Sequence, residues 1–316
     1  MRKVKERKII FITNDLIFAH QHLFYILSYF SINKNYKVYL LSSKKDKEIY
    51  KIPEKVELVP ISITRRPNLH KDIVALLEII YFILQKKPQA IFSFTNKAGF
   101  LSSISSCVFN APVYIHTFTG QIWANMNGIK RQIYRLIDSF IAQRANLSLA
   151  DSESQALFLN KHLSFSKSVV GLKDGSLAGV DFKRFNRNRS SLLLDKKGIK
   201  FIFLGRLNID KGINDLIEII PRHLSIFIED EFMIIGPNEN QILYSELIKL
   251  KAKWPNNIKL KGFTRCPEKY LKESDILLLP SKREGFGNII IEAASCGVPT
   301  IAYEIYGIKN AIKNKI

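Results

Sequence analysis

Two glutamates eight positions apart, Glu284 and Glu292, bracket the segment Gly285-Phe286-Gly287-Asn288 and the apolar run Ile289-Ile290-Ile291. Carboxylates accept hydrogen bonds from alcohols, glycines let the backbone come close to a ligand, and the free amides of a helix start attract negative charge. A molecule with hydroxyls at both ends and a diphosphate between them, a sugar joined to a nucleotide, fits that set. The elements around it are readable. Asp275–Pro280 reads as a short buried strand ended by Pro280 and Ser281, Glu284 falls in the loop, and Asn288 caps a helix that Gly297 and Pro299 stop. Glu292 then lies about one turn in, several ångströms beyond the helix start at roughly 1.5 Å per residue. One carboxylate can meet sugar hydroxyls and the other ribose hydroxyls. The same spacing also arises if Glu284 merely caps a loop and Glu292 is a solvated helix residue.

Arg206 and Lys211 follow the apolar strand Lys200–Leu204, after Gly205. A buried diphosphate needs cations of complementary geometry, Arg as a planar fork and Lys as a mobile point charge. Loops at the carboxyl ends of open α/β sheets are where ligands bind. The alternative pairs Arg206 with Asp210 at the surface and makes Lys211 the first basic residue of a helix. His116 follows the strand Val113-Tyr114-Ile115, from where it would point into a cleft; a hydrogen-bonded strand-end histidine fits equally. Ser152 with Gln155 fits a helix capping box.

The Glu284–Glu292 segment resembles the E-x7-E motif of retaining glycosyltransferases of family 4. Phe203-Leu204-Gly205-Arg206-Leu207 with Lys211-Gly212 looks like the family's strand-to-loop element carrying an Arg and a Lys for the donor diphosphate. Gly297-Val298-Pro299-Thr300-Ile301-Ala302 follows in the family's order. His116–Gln121, Ala150–Gln155 and Gly175–Phe185 resemble segments of bacterial polysaccharide-assembly members, although Ala178 stands where an Asn is frequent. The resemblance implies an α/β chain of two Rossmann-like doubly wound domains facing across a cleft, the GT-B fold. It implies donor contacts from Gly205, Arg206, Lys211, Glu284, Gly285, Phe286, Gly287, Asn288, Ile289 and Glu292. Asp15, His116, Thr119 and Gly120 would lie on the acceptor side, and Glu284, Arg206, Lys211 and His116 would act in catalysis. The implied reaction moves a sugar from a nucleoside diphosphate, uridine by family habit, to a lipid-linked saccharide with retained configuration. It needs no metal and no cofactor. Family members continue past the position of Ile316, so the second domain is expected to be incomplete at its C-terminus.

A chain of 316 residues exceeds the size at which one core stops growing. Apolar runs predict strands at 8–13, 36–42, 57–63, 89–94, 113–117 and 147–150, then at 200–204, 231–235, 257–261, 275–279 and 298–302, with helices between. This gives an acceptor-side domain over 1–182 and a nucleotide-sugar domain over 183–316, with a polar linker at Lys183–Lys197. No apolar run is long enough to span a bilayer, and the basic start Met1–Lys5 lacks the pattern of an export signal. Three scattered cysteines, Cys107, Cys266 and Cys296, fit a reducing compartment and no metal site.

The net charge is +20, a field that attracts nucleic acid or an anionic membrane. The cations are dispersed (Lys44, Lys45, Lys47, Arg65, Arg66, Lys86, Lys87, Arg131, Arg135) and no nucleic-acid module accompanies them. The expectation is therefore no nucleic acid, and a cytoplasmic protein peripheral on the inner face of the cell membrane. Two other readings stay open: a nucleotide-sugar 2-epimerase, which shares the donor site but needs no acceptor, and a noncatalytic membrane-associated partner subunit of a transferase.

Overall fold

The computed structural model describes residues 6–43, 50–108, 113–164, 167–173, 175–186 and 197–312. Residues 1–5, Lys44, Lys45, Lys47, most of the expected linker (187–196) and 313–316 lie outside them. The chain divides into two compact units, Met1–Ala178 and Gly179–Ile316.

The first unit alternates strand and helix: β1 Arg7–Ile12, α1 Leu16–Phe18, a π turn Ala19–Leu23, α2 Phe24–Ile32, β2 Tyr36–Ser43, β3 Glu57–Ile61, α3 Leu69–Lys86, β4 Ala90–Phe94, α4 Asn96–Val108, β5 Val113–Phe118, α5 Gly128–Arg144, β6 Leu147–Ala150, α6 Glu153–His162 and β7 Val170–Gly171. Its parallel sheet has the order β3-β2-β1-β4-β5-β6-β7. A parallel sheet is covered by helices on both faces, so its strands are apolar throughout. The period of two sorts β1 accordingly: Ile10 and Ile12 pack with Ala75, Ile79 and Ile83 of α3 and Ala98 and Leu101 of α4. Ile9 and Phe11 pack on the other face with Leu16, Leu23 and Leu27. Each of the buried Ile, Leu and Phe side chains contributes roughly 1.5–3 kcal/mol of burial free energy.

The second unit runs β8 Lys200–Leu204, α7 Ile213–Leu224, β9 Glu231–Ile235, α8 Gln241–Lys253, β10 Ile258–Lys261, α9 Pro267–Lys272, β11 Ile276–Leu279, α10 Asn288–Ser295, β12 Thr300–Ala302 and α11 Ile308–Ala311. Its parallel sheet has the order β10-β9-β8-β11-β12. The order reverses between β8 and β11, which leaves a crevice at their carboxyl ends. In the first unit the reversal lies between β1 and β4.

The expected strands all form where the apolar runs placed them, with ends unchanged or shifted by one or two residues. The two-residue β7 was not expected. The helix after Glu284 also starts differently: Gly287, left-handed at φ +81°, is its N-cap, and Asn288 is its first helical residue. No helix among the described residues is long and apolar enough to cross a membrane.

Candidate functional site

The β8 and β11 loops of the second unit are built against each other. After β8, Gly205 donates its amide to Ile235 at 3.0 Å, and a Cβ on Gly236 would sit 1.7 Å from the Gly205 carbonyl oxygen. Asn208 caps the 3-10 turn Ile209–Lys211 by accepting from the Lys211 amide at 3.1 Å. Gly212 follows at φ +72°, where a Cβ would lie 2.0 Å from the Pro280 carbonyl oxygen. A side chain is therefore excluded twice, by dihedral and by contact. The Lys282 amide donates to the Asp210 carbonyl at 2.8 Å, and Arg283 reaches the Asp210 carboxylate at 2.7 Å.

Lys211 and Glu284 meet across this junction, Nζ to Oε1 at 2.5 Å, with side chains 17% and 12% exposed. Arg206 donates to Glu239 at 2.6 Å, and the Asn208 side chain donates to the same Glu239 oxygen at 2.8 Å. The surface pair expected as an alternative, Arg206 with Asp210, does not form; Asp210 is held by Arg283. Gly285, Phe286 and Gly287 are buried, Asn288 and Ile289 are half-buried, and Gly307 approaches so closely that a Cβ there would lie 2.6 Å from the Glu284 carbonyl oxygen. Lys211 and Arg206, held by Glu284 and Glu239, thus lie on the same pair of loops as the amides at the start of α10, which favour negative charge.

Glu292 is half-buried on α10 and makes no side-chain hydrogen bond with the described residues. Burial pushes its carboxyl up to about 7, the Arg184 guanidinium opposes that, and Glu268 adds to it. Arg184 is itself held by Glu268 at 2.8 Å and by the Arg265 carbonyl.

The four residues expected on the acceptor side belong to the first unit. His116 is wholly buried, so it points under the helix layer rather than into an open cleft. Its Nδ1 lies 2.7 Å from Ser93 Oγ, and a Cβ on Gly99 of α4 would come within 2.4 Å of its ring. Burial lowers it to about 3, the neutral imidazole. This is the hydrogen-bonded strand histidine of the alternative reading. Asp15 caps α1, accepting from the Phe18 amide at 2.8 Å. Thr119 is half-buried, and Gly120 is buried at φ +100°. Ser152 caps α6 by accepting from the Gln155 amide. Glu239 and Arg283 were missed by the sequence reading, and Asp210 was read only as a partner for Arg206; the one local signal was Lys282-Arg283 immediately before Glu284.

The chain has two parallel-sheet α/β domains, the second with paired cations and carboxylates at its switch point. Residues 184–316, nearly all of the second unit, match the family model described as Glycosyl transferases group 1. It is 28% identical to the capsular polysaccharide biosynthesis glycosyltransferase CapM of Staphylococcus aureus, over 89% of this chain and 75% of that one. It is 24% identical to the UDP-Gal:alpha-D-GlcNAc-diphosphoundecaprenol alpha-1,3-galactosyltransferase of Escherichia coli, over 80% and 67%. The crystal structure of Anabaena Alr3699/HepE in complex with UDP and glucose superposes with a TM-score of 0.75 at 17% identity, covering 98% of this chain and 84% of that one. The fold matches GT-B glycosyltransferases.

Proposed function

We propose that this chain transfers a sugar from a nucleoside diphosphate, a uridine donor first, to a hydroxyl of a lipid-linked saccharide in surface-polysaccharide assembly, with the anomeric configuration retained. The observation that carries it is the meeting of Lys211 with Glu284 beside Arg206 at the β8–β11 switch point. The donor diphosphate takes Lys211 from Glu284 and extends Arg206's contacts. Glu284 then turns its freed oxygens to the sugar hydroxyls, and Glu292 accepts from the ribose. Charge that builds on the leaving diphosphate is met by Arg206, Lys211 and the amides at the start of α10, groups already positioned before reaction. These cations supply the charge a divalent ion would otherwise supply, and the reading needs no metal or cofactor. The S. aureus and E. coli relatives support a polysaccharide product and a lipid-linked acceptor. The Anabaena complex supports uridine. Such an acceptor places the protein at a membrane surface, on the cytoplasmic side.

The test is a panel of nucleoside diphosphate sugars, each with and without lipid-linked saccharide extract, followed by NMR of the product's anomeric configuration. The expected result is donor consumption that requires acceptor and yields the donor's own configuration. Donor converted to an epimer without acceptor would assign an epimerase instead. No donor binding by any member would leave a noncatalytic subunit.

A further inference from the structure

Helix α3 carries apolar side chains on two faces. Ala75, Ile79, Phe82 and Ile83 are buried against the sheet. Leu69, Ile73, Leu77, Tyr81 and Leu84 are 46–79% exposed, and at about 100° per residue they fall on a single arc of about 120°. That arc holds no acidic or basic residue other than His70. A helix that meets only water places charged residues there. The stripe is about 23 Å long at 1.5 Å per residue, and an apolar surface of that extent marks an interaction site.

Helix α5 repeats the feature with Ile129, Ile133 and Leu136, 50–79% exposed. Both helices pack against α4, so the two stripes belong to one helical layer. Cations border them: Arg65, Arg66 and Lys71 near the start of α3, Lys87 just after its end, and Lys130 beside Ile129, all exposed. Across residues 64–144 ten Lys plus Arg stand against three Asp plus Glu. Of those three, Asp72 is occupied by Lys97 at 2.7 Å and Asp138 is wholly buried.

We propose that this α3–α5 layer is the surface by which the protein lies on an anionic lipid bilayer. Apolar side chains enter the headgroup boundary while the bordering Lys and Arg meet lipid phosphates, and both contributions are needed for lasting attachment. A second copy presents the same positive charge and is repelled. Nucleic acid would stack on aromatic rings, and of the eight exposed side chains named in the two stripes only Tyr81 carries one. The proposal rests on the reading that the acceptor is lipid-linked.

The experiment is cosedimentation of the full chain with phosphatidylcholine vesicles, with and without phosphatidylglycerol, alongside a thermal shift with UDP-glucose. Binding is expected only with phosphatidylglycerol and should fall as salt rises. Leu77→Glu with Tyr81→Glu should lower the partition about tenfold or more and leave the donor shift intact. Ile242→Glu, at a position of the second unit that is 76% exposed, should change neither. Absence of wild-type binding, equal binding by the double variant, or a dimer that the double variant abolishes would each overturn the proposal. A missing donor shift with vesicle binding intact would instead remove the donor reading and leave this surface standing.

Discussion

Among the described residues Glu292 has no side-chain hydrogen bond, and burial raises its carboxyl to about 7. Ribose hydroxyls that donate to it stabilise the ionised form, so donor binding should release a proton. A UDP-sugar should bind more tightly as pH rises from about 6 to 8, by up to about tenfold per unit below the carboxyl's own value. Glu292→Gln should bind with a flat profile. Calorimetry in two buffers of different ionisation enthalpy checks this, and equal heats for the wild type would remove Glu292 from the ribose. Arg206 tests a different action. Glu239 holds its fork together with Asn208, so Glu239→Ala should lower kcat by about tenfold with little change in KM, and Glu239→Gln should recover much of it. These partners were not legible in the sequence, because Glu239 is 33 residues from Arg206 and only the fold brings them together. The pairing of Lys211 with Glu284 spans 73 residues, but each lies in a segment whose glycines and strand ends were readable.

Loops take their shape from two kinds of glycine. Gly212 and Gly297 are both left-handed, at φ +72° and +71°, but a Cβ at Gly212 would strike the Pro280 backbone whereas Gly297 has open space. Gly297→Ala should therefore cost about 1 kcal/mol, the dihedral penalty alone. Gly212→Ala should cost about 3 kcal/mol or more and weaken donor binding, since the β8 and β11 loops must part. Urea denaturation of both variants measures the difference; equal costs would mean that the two loops do not depend on this approach. The strands were legible for a reason of the same scale: when both faces of a parallel sheet are covered, every position is apolar and the run stands out. β7 escaped notice because two residues, Val170 and Gly171, make no run. His116 was harder still. Its parity with Tyr114 and Phe118 sets which face it takes, but the gap it fills comes from Gly99 on a different element.

The whole molecule carries shifted groups of opposite sign, divided unequally between its units. In the first unit Asp138, which accepts from Trp123 at 2.7 Å and Asn96 at 3.0 Å, is raised by burial to about 7, while burial lowers His116 to about 3. A raised carboxyl binds more protons folded than unfolded, so its stabilisation is complete below the unfolded value and is lost as pH climbs towards 7. A lowered histidine does the reverse: its stabilisation is present above about 6.5 and is lost as pH falls towards 3. Between about pH 4.5 and 6.5 the two contributions offset each other in the first unit, at about 1.4 kcal/mol per pH unit each at most. In the second unit burial raises the half-buried Glu292, while Glu304, lowered by Lys309, is fully exposed. The second unit should therefore lose stability relative to the first across that window. Trp123 lies in the first unit and Trp254 in the second, and the chain has two tryptophans, so Trp254→Phe leaves fluorescence that reports on the first unit and Trp123→Phe leaves fluorescence that reports on the second. Melting each variant from pH 4.5 to 6.5 should give a nearly constant transition for the first unit and a falling one for the second. Adding Asp138→Asn should make the first unit's transition rise with pH, because His116 then acts unopposed. A second-unit transition that does not fall would show that Glu292 keeps its protonation on folding, and a first-unit transition that rises equally with and without Asp138→Asn would show the same of Asp138.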